Sequence, residues 1–290
     1  MSNATNLNVS TQRLVEAIKF AYGQRGELAD PAFVPNVTVL QQLFLQPTTG
    51  DVIRSLIRDN QTFQPQEYDP VTYLSIISGG VFPTNDAGTS HMVAADDTGL
   101  VISLTTTVNL YWGAQIMVPE TGSSHPISNL VLIIVVLNNE MNDFSSPGAI
   151  NAFGYVASPQ NYPQPGKRPQ SSISPVIVDF PNGTFFFGVG AAGGSRITTS
   201  TIQNLWHVLD QGMDAYSAIA EPRLHDQIVP QTTTFEYAYS NETTAYLRAI
   251  GHNISWVAPG LSIAQGVMER AGVFQAATDP RRIDSGGSVV

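Results

Sequence analysis

Gly88-Thr89-Ser90-His91 stands where the texture of the chain changes most sharply, from a stretch rich in Pro, Gly and polar residues over 60–88 to an extended run from 89 onward. A small residue ahead of a hydroxyl residue leaves its own carbonyl open to attack. Thr89 Oγ attacking the Gly88 carbonyl would be an N→O acyl shift that frees the Thr89 amine, and hydrolysis of the resulting ester would part the chains and leave that amine as a new N-terminus. A terminal amine has an ordinary pKa of about 7.7–8.0. It can therefore take the proton of its own hydroxyl, which is how a threonine at a new N-terminus becomes a nucleophile. Alone, a Gly-Thr pair is common and reads first as a turn glycine before a strand threonine.

Other chemistries fall away. With no cysteine in the chain, thiol catalysis, disulfides and cysteine-ligated metals are excluded. The histidines (His91, His125, His207, His225 and His252) are scattered without HExxH spacing, so a zinc site is not expected. A net charge of −10 with no Lys/Arg run longer than two argues against nucleic acid as a partner.

The elements that must hold Thr89 follow from periodicity. An amphipathic helix is predicted over 11–24, with Leu14, Ile18, Ala21 and Tyr22 on one face and Thr11 as cap. A second helix is predicted near 51–59. Residues 89–107 read as a hairpin turning near 97–99. PVIVDF-PNGT-FFFGVG reads as another, turning at Asn182-Gly183. Helices are predicted over 197–219, near 241–251 and over 262–271, and strands over 254–257 and 273–277. Strands followed by helices indicate an α+β chain of layered α/β/β/α plan. The 290 residues, 42% of them hydrophobic, suffice for a sizeable core.

GTSHMVAADDTGLVISLTTTVNLYWG, LNNEMNDFSSPG, PGKRPQSSISP, GVGAAGGSRITTSTIQNLW and EPRLHDQIVP follow one another in a single order. Together they resemble the small subunit of the γ-glutamyltranspeptidases (glutathione hydrolases), in a fungal-like form. Upstream, QRLVEAIKFAYGQR and DPAFVPNVT resemble the end of that family's large subunit. The resemblance implies an N-terminal-nucleophile hydrolase sandwich of αββα layers, here incomplete at its N-terminal side. Residues 1–88 would be a large-subunit remnant, helical then loop, and 89–290 the small subunit.

It also implies roles. Thr89 is the self-cleavage residue and nucleophile, oriented by Thr107. Asn109, Glu140 and Asp143 bind the α-amino group of a γ-glutamyl substrate, and Ser171 and Ser172 its α-carboxylate. Gly193 and Gly194 offer backbone N–H groups to the oxyanion. Two acids three apart suit an ammonium, since charged acceptors make the stronger hydrogen bonds. Paired glycines let two donors approach a developing oxyanion. Taken singly, the same residues read as surface acids, a loop dipeptide and a turn.

The substrates implied are glutathione and other γ-glutamyl compounds, with water or an amino-acid or peptide amine as acceptor and no cofactor. The alternative is a catalytically silent member or an interaction module. In the family, a portion of the precursor ahead of residue 1 supplies an arginine for the substrate carboxylate, and no residue here takes that role by resemblance. Residues 123–134 (SSHPISNLVLII) look inserted, and an insertion there would displace Glu140 and Asp143 from Thr89. Sequons at Asn3, Asn8, Asn36, Asn60, Asn182, Asn241 and Asn253 point to a glycoprotein of the secretory pathway. No signal-peptide pattern or membrane-length apolar run accompanies them.

Overall fold

The computed structural model describes residues 4–68, 88–118, 135–155 and 157–289. The segment 123–134 and most of the 60–88 loop lie outside them. The described chain opens with three helices, α1 (Ala4–Arg25), α2 (Val37–Phe44) and α3 (Pro47–Leu56). The helix expected over 11–24 is thus part of a longer one. Thr11 is not its cap, for its hydroxyl donates to the Leu7 carbonyl at 2.9 Å from within the helix. Val15, Ile18 and Tyr22 form the buried stripe, whereas Ala21 faces solvent.

The predicted nucleophile hairpin is present. Strands β1 (Thr89–Ala95) and β2 (Val101–Thr107) pair antiparallel, with Thr89 opposite Thr107 and His91 opposite Thr105. Asp96 Oδ1 accepts the N–H groups of Thr98 and Leu100 and so fixes the turn. A short pair, β3 (Met117–Val118) with β4 (Val135–Val136), follows. Strands β5 (Val176–Asp179) and β6 (Phe185–Ala192) form the second hairpin. Its turn is where predicted: Gly183 has φ 82° and Asn182 Oδ1 accepts from Thr184 N–H at 3.0 Å.

The helix predicted over 197–219 is two, α4 (Arg196–Leu209) and α5 (Ala215–Ala220). Gly212 takes a left-handed φ of 69° between them, and Asp214 caps α5 by accepting Ser217 N–H at 2.9 Å. Then come β7 (Leu224–His225), β8 (Thr233–Glu236), α6 (Asn241–Ala249), β9 (Ile254–Val257), β10 (Ile263–Arg270) and β11 (Val273–Thr278). The helix expected over 262–271 is therefore a strand. It lies between β6 and β11 in a four-stranded antiparallel sheet of order β11-β10-β6-β5. A strand covered on both faces reads as a nearly continuous apolar run and imitates a buried helix.

On one face of that sheet, Phe187, Val189 and Ala191 pack under α4 and α5 against Ile197, Val208 and Ile219. On the other, alternate positions of β6 are glycines. A Cβ at Gly188 would meet the Val93 side chain at 2.8 Å, and one at Gly190 would fall on the His91 ring. The missing side chains let the β1–β2 hairpin lie directly on β6, giving helices, sheet and second sheet in layers. A second core joins α1 and α6 to the sheet β7-β8-β9, through Val15, Ile18, Leu224, Phe235 and Leu247.

Candidate active site

Thr89 begins β1 and Thr107 ends β2, so the hairpin register alone brings their hydroxyls together, with Oγ1 atoms 2.9 Å apart. Thr107 Oγ1 is also 3.2 Å from the Gly88 carbonyl oxygen and accepts Asn109 N–H at 2.8 Å. The same carbonyl accepts Val108 N–H at 2.9 Å. One assignment of protons uses every donor once. Thr89 donates to Thr107, Thr107 donates to the Gly88 carbonyl, and Asn109 N–H donates to Thr107. The carbonyl that Thr89 would attack then carries two donors.

Gly88 is sterically required here. A Cβ on it would fall on the carbonyl oxygens of Asn109 and Leu110. Those carbonyls are fixed in turn. Asn109 has φ 73°, its Nδ2 donates to the Asn139 carbonyl at 3.0 Å, and Asn139 Oδ1 accepts Leu110 N–H at 3.0 Å. One strand pair deeper, His91 Nδ1 and Thr105 Oγ1 are 2.8 Å apart. Burial pushes the His91 imidazole down to about 4, so it is neutral at physiological pH.

Thr89, Thr107, Asn109, Asp143, Ser171, Ser172 and Gly194 line one cavity; Gly193 and Glu140 are not among its lining residues, Glu140 lying against Asp143. Gly193 and Gly194 follow β6 and precede α4, with φ 131° and 56°. Both conformations suit glycine. A Cβ on Gly193 would also meet Ser262 Cα at 2.8 Å.

At one end of the cavity a single helical turn, Glu140–Asp143, carries the two acids, with Asn138 Oδ1 accepting Glu140 N–H at 3.0 Å. Asn161 Nδ2 holds the Asp143 carbonyl at 2.8 Å. Burial, and then the neighbouring Glu140 carboxyl, raise Asp143 to about 7, while the positive charge of Arg25 opposes the rise. Two neighbouring carboxyls disfavour each other's ionisation. Asp143 lines the same cavity as Thr89.

Another part of the wall is the 170–172 loop. Ser171 Oγ accepts Ile173 N–H at 3.1 Å. Ser172 Oγ accepts from Arg25 Nη2 at 3.1 Å and lies 3.3 Å from Tyr155 OH. Sequence reasoning missed Arg25, Gln170 and Tyr155. The only signal for Arg25 was a basic residue ending an amphipathic helix, which is a common helix terminus.

Thr89 and Thr107 thus set a hydroxyl pair against the Gly88 carbonyl in the wall of one cavity, at the end of a hairpin laid on a helix-covered sheet, which is a layered α/β architecture. The chain belongs to the γ-glutamyltranspeptidase family, whose sequence description matches residues 1–289. It is 41% identical to the glutathione hydrolase proenzyme of Arthroderma benhamiae over 282 residues, 97% of this chain and 45% of that protein. It is 39% identical to the glutathione hydrolase of Aspergillus flavus over 283 residues, 97% and 44% respectively. The chain thus spans somewhat under half the length of these relatives.

Among solved structures it resembles the γ-glutamyltranspeptidase of Pseudomonas nitroreducens complexed with L-DON. The TM-score is 0.60 at 33% identity, covering 69% of this chain and 100% of that one. A cephalosporin acylase from Bacillus halodurans shares the fold, at TM-score 0.70 over 94% of this chain and 44% of the other, with 20% identity.

Proposed function

We propose that this chain is the part of a γ-glutamyltranspeptidase that cuts itself at Gly88–Thr89 and then transfers or hydrolyses γ-glutamyl groups through Thr89. The hydrogen-bonded run Thr89–Thr107–Gly88 carries the reading. In the first step Thr89 Oγ bonds to the Gly88 carbonyl carbon, the Gly88–Thr89 C–N bond breaks, and the nitrogen takes the hydroxyl proton. Water then cleaves the ester. Residues 1–88 end as one piece and 89–290 as the other. The solved chain matched over its whole length takes up 69% of this one, which is close to the share of 89–290 and supports that division.

In the second reaction the Thr89 amine accepts the Oγ proton as Oγ attacks the γ-carbonyl of glutathione or another γ-glutamyl amide. Backbone N–H groups of Gly193 and Gly194 receive the oxyanion. The leaving amine takes the proton, and water or an amino-acid or peptide amine then takes the γ-glutamyl group. Asn109, Glu140 and Asp143 hold the substrate ammonium, and Ser171 and Ser172 the carboxylate. Every role falls to a protein group.

Localisation follows the sequons in this reading. Asn36, Asn60, Asn182, Asn241 and Asn253 are exposed, whereas Asn8 is buried and accepts from Thr243 Oγ1 at 2.7 Å. Asn8 is therefore not a glycan acceptor, and the five exposed sites suit a secretory-pathway protein. No helix among the described residues is long and apolar enough to cross a membrane.

One observation favours a second reading, a member silent on its own. Met92, Ile102 and Leu104 are 53%, 52% and 46% exposed on the outer face of the hairpin, an apolar surface of the kind that packing usually covers. Incubation with γ-glutamyl-p-nitroanilide separates the two. Release of p-nitroaniline that Thr89→Ala abolishes supports the catalytic reading. No release, or equal release by the variant, contradicts it.

A further inference from the structure

Ile228, in the connection between β7 and β8, lines the cavity with a backbone φ of 71°. That is the left-handed region, where a β-branched side chain is a genuine outlier. Val229 N–H donates to the Gln227 carbonyl at 2.9 Å across it, which closes a γ-turn of the rare and strained hand. Such strain persists only where the surroundings over-determine it, and it gathers at functional sites.

The surroundings here do so. Asp226 Oδ1 accepts Ile228 N–H at 2.8 Å, and Gln227 Nε2 donates to the carbonyls of Phe153 at 3.0 Å and Val229 at 3.1 Å. Asp226 is itself buried and held. Its Oδ2 accepts from Thr233 Oγ1 at 2.7 Å and faces Lys19 Nζ of α1 at 3.7 Å. A carboxylate balanced by the first helix thus pins the strained turn.

The turn divides two spaces. Ile228 is 3% exposed and lines both the cavity of Thr89 and a smaller polar one bounded by Lys19, Thr62, Asp226, Thr233 and His252. Phe153 and Val229 continue the apolar wall on the side of Thr89. Tyr155 joins this wall to the 170–172 loop, for it packs against the core that holds Ile228 and Val229, and its hydroxyl lies 3.3 Å from Ser172 Oγ. An acyl group running from Thr89 toward that loop therefore meets the partition if it is too long. A firm apolar wall discriminates a single methylene by about 10–200-fold.

We propose that Ile228 sets the length of acyl group this chain takes, closing the cavity to groups one methylene longer than γ-glutamyl, with Asp226 as the positioning residue that holds it there. The proposal rests on the reading of the cavity as a γ-glutamyl site. Loss of the Ile228 side chain would join the two spaces and let a longer chain through.

The test compares L-glutamate with L-2-aminoadipate, its homologue with one more methylene, by titration calorimetry on the 290-residue chain. The unmutated chain binds glutamate at least tenfold more tightly. Ile228→Gly removes the wall while suiting the left-handed backbone, and the preference falls at least fivefold. Ile228→Leu, which keeps the volume, leaves the preference within twofold. Asp226→Ala frees the turn and lowers it as Ile228→Gly does.

Equal weakening of both ligands by Ile228→Gly would mean that Ile228 only packs the core, and would overturn the proposal. So would an unmutated chain that binds both ligands alike or neither. Should Ile228→Gly melt early, Ile228→Val decides instead: an unchanged preference overturns the proposal, a reduced one upholds it. Failure of the catalytic reading looks different. A chain that discriminates between the ligands but releases no p-nitroaniline from γ-glutamyl-p-nitroanilide loses that reading and keeps this one.

Discussion

Thr107 supplies one hydroxyl to three neighbours, the Thr89 hydroxyl, the Gly88 carbonyl and Asn109 N–H. Thr107→Val keeps its shape and removes the donor. Self-cleavage, followed as the fraction of cut chain over time, is expected to slow by about 10²–10³, the usual cost of one donor to a developing oxyanion, while Thr107→Ser retains most of the rate. Gly88→Ala is expected to leave the chain uncut, because its methyl would overlap the Asn109 and Leu110 carbonyls. Asp143 gives a pH dependence whose sign is fixed. With its carboxyl raised to about 7, it is neutral below that pH and cannot pair with an ammonium. Glutamate binding should therefore tighten as pH rises from 6 to 8, and Asp143→Asn should flatten the profile.

At the scale of elements, the two hairpins were legible because alternation, β-branched runs and Asn-Gly or Asp-Thr-Gly turns act locally. The meeting of Thr89 with Thr107 follows from that register. β10 was not legible, since Ile263, Ala264, Val267 and Met268 repeat at helical spacing and only the sheet on either side shows them to be a doubly covered strand. Nor was the break between α4 and α5, which depends on Gly212 and the Asp214 cap. Arg25 stayed hidden because its partners at 155, 170 and 172 lie far along the chain. The packing of the hairpin on β6 is testable in the same terms. Gly190→Ala drives a methyl into the His91 ring and is expected to cost about 1–3 kcal/mol by overpacking, read from denaturant unfolding.

At the scale of the molecule, two cores are tied by a buried ionic network. Arg223, just ahead of β7, donates to Asp279, just past β11, at 2.7 Å, and Arg281 joins Asp279 at 3.0 Å to Glu236 of β8 at 2.6 Å. Removing one partner leaves a buried charge uncompensated. Asp279→Ala is expected to lower stability by about 3–5 kcal/mol, measured by denaturant unfolding. The proposed self-cleavage would need both layers aligned, because β1 begins at Thr89 and β6 leads into Gly193 and Gly194. The most direct measurement is therefore Edman sequencing of the fragments formed by the purified chain and by Thr89→Ala. The account predicts a fragment beginning Thr-Ser-His-Met from the former and an uncut chain from the latter. A cut between Gly88 and Thr89 that persists in Thr89→Ala would contradict it.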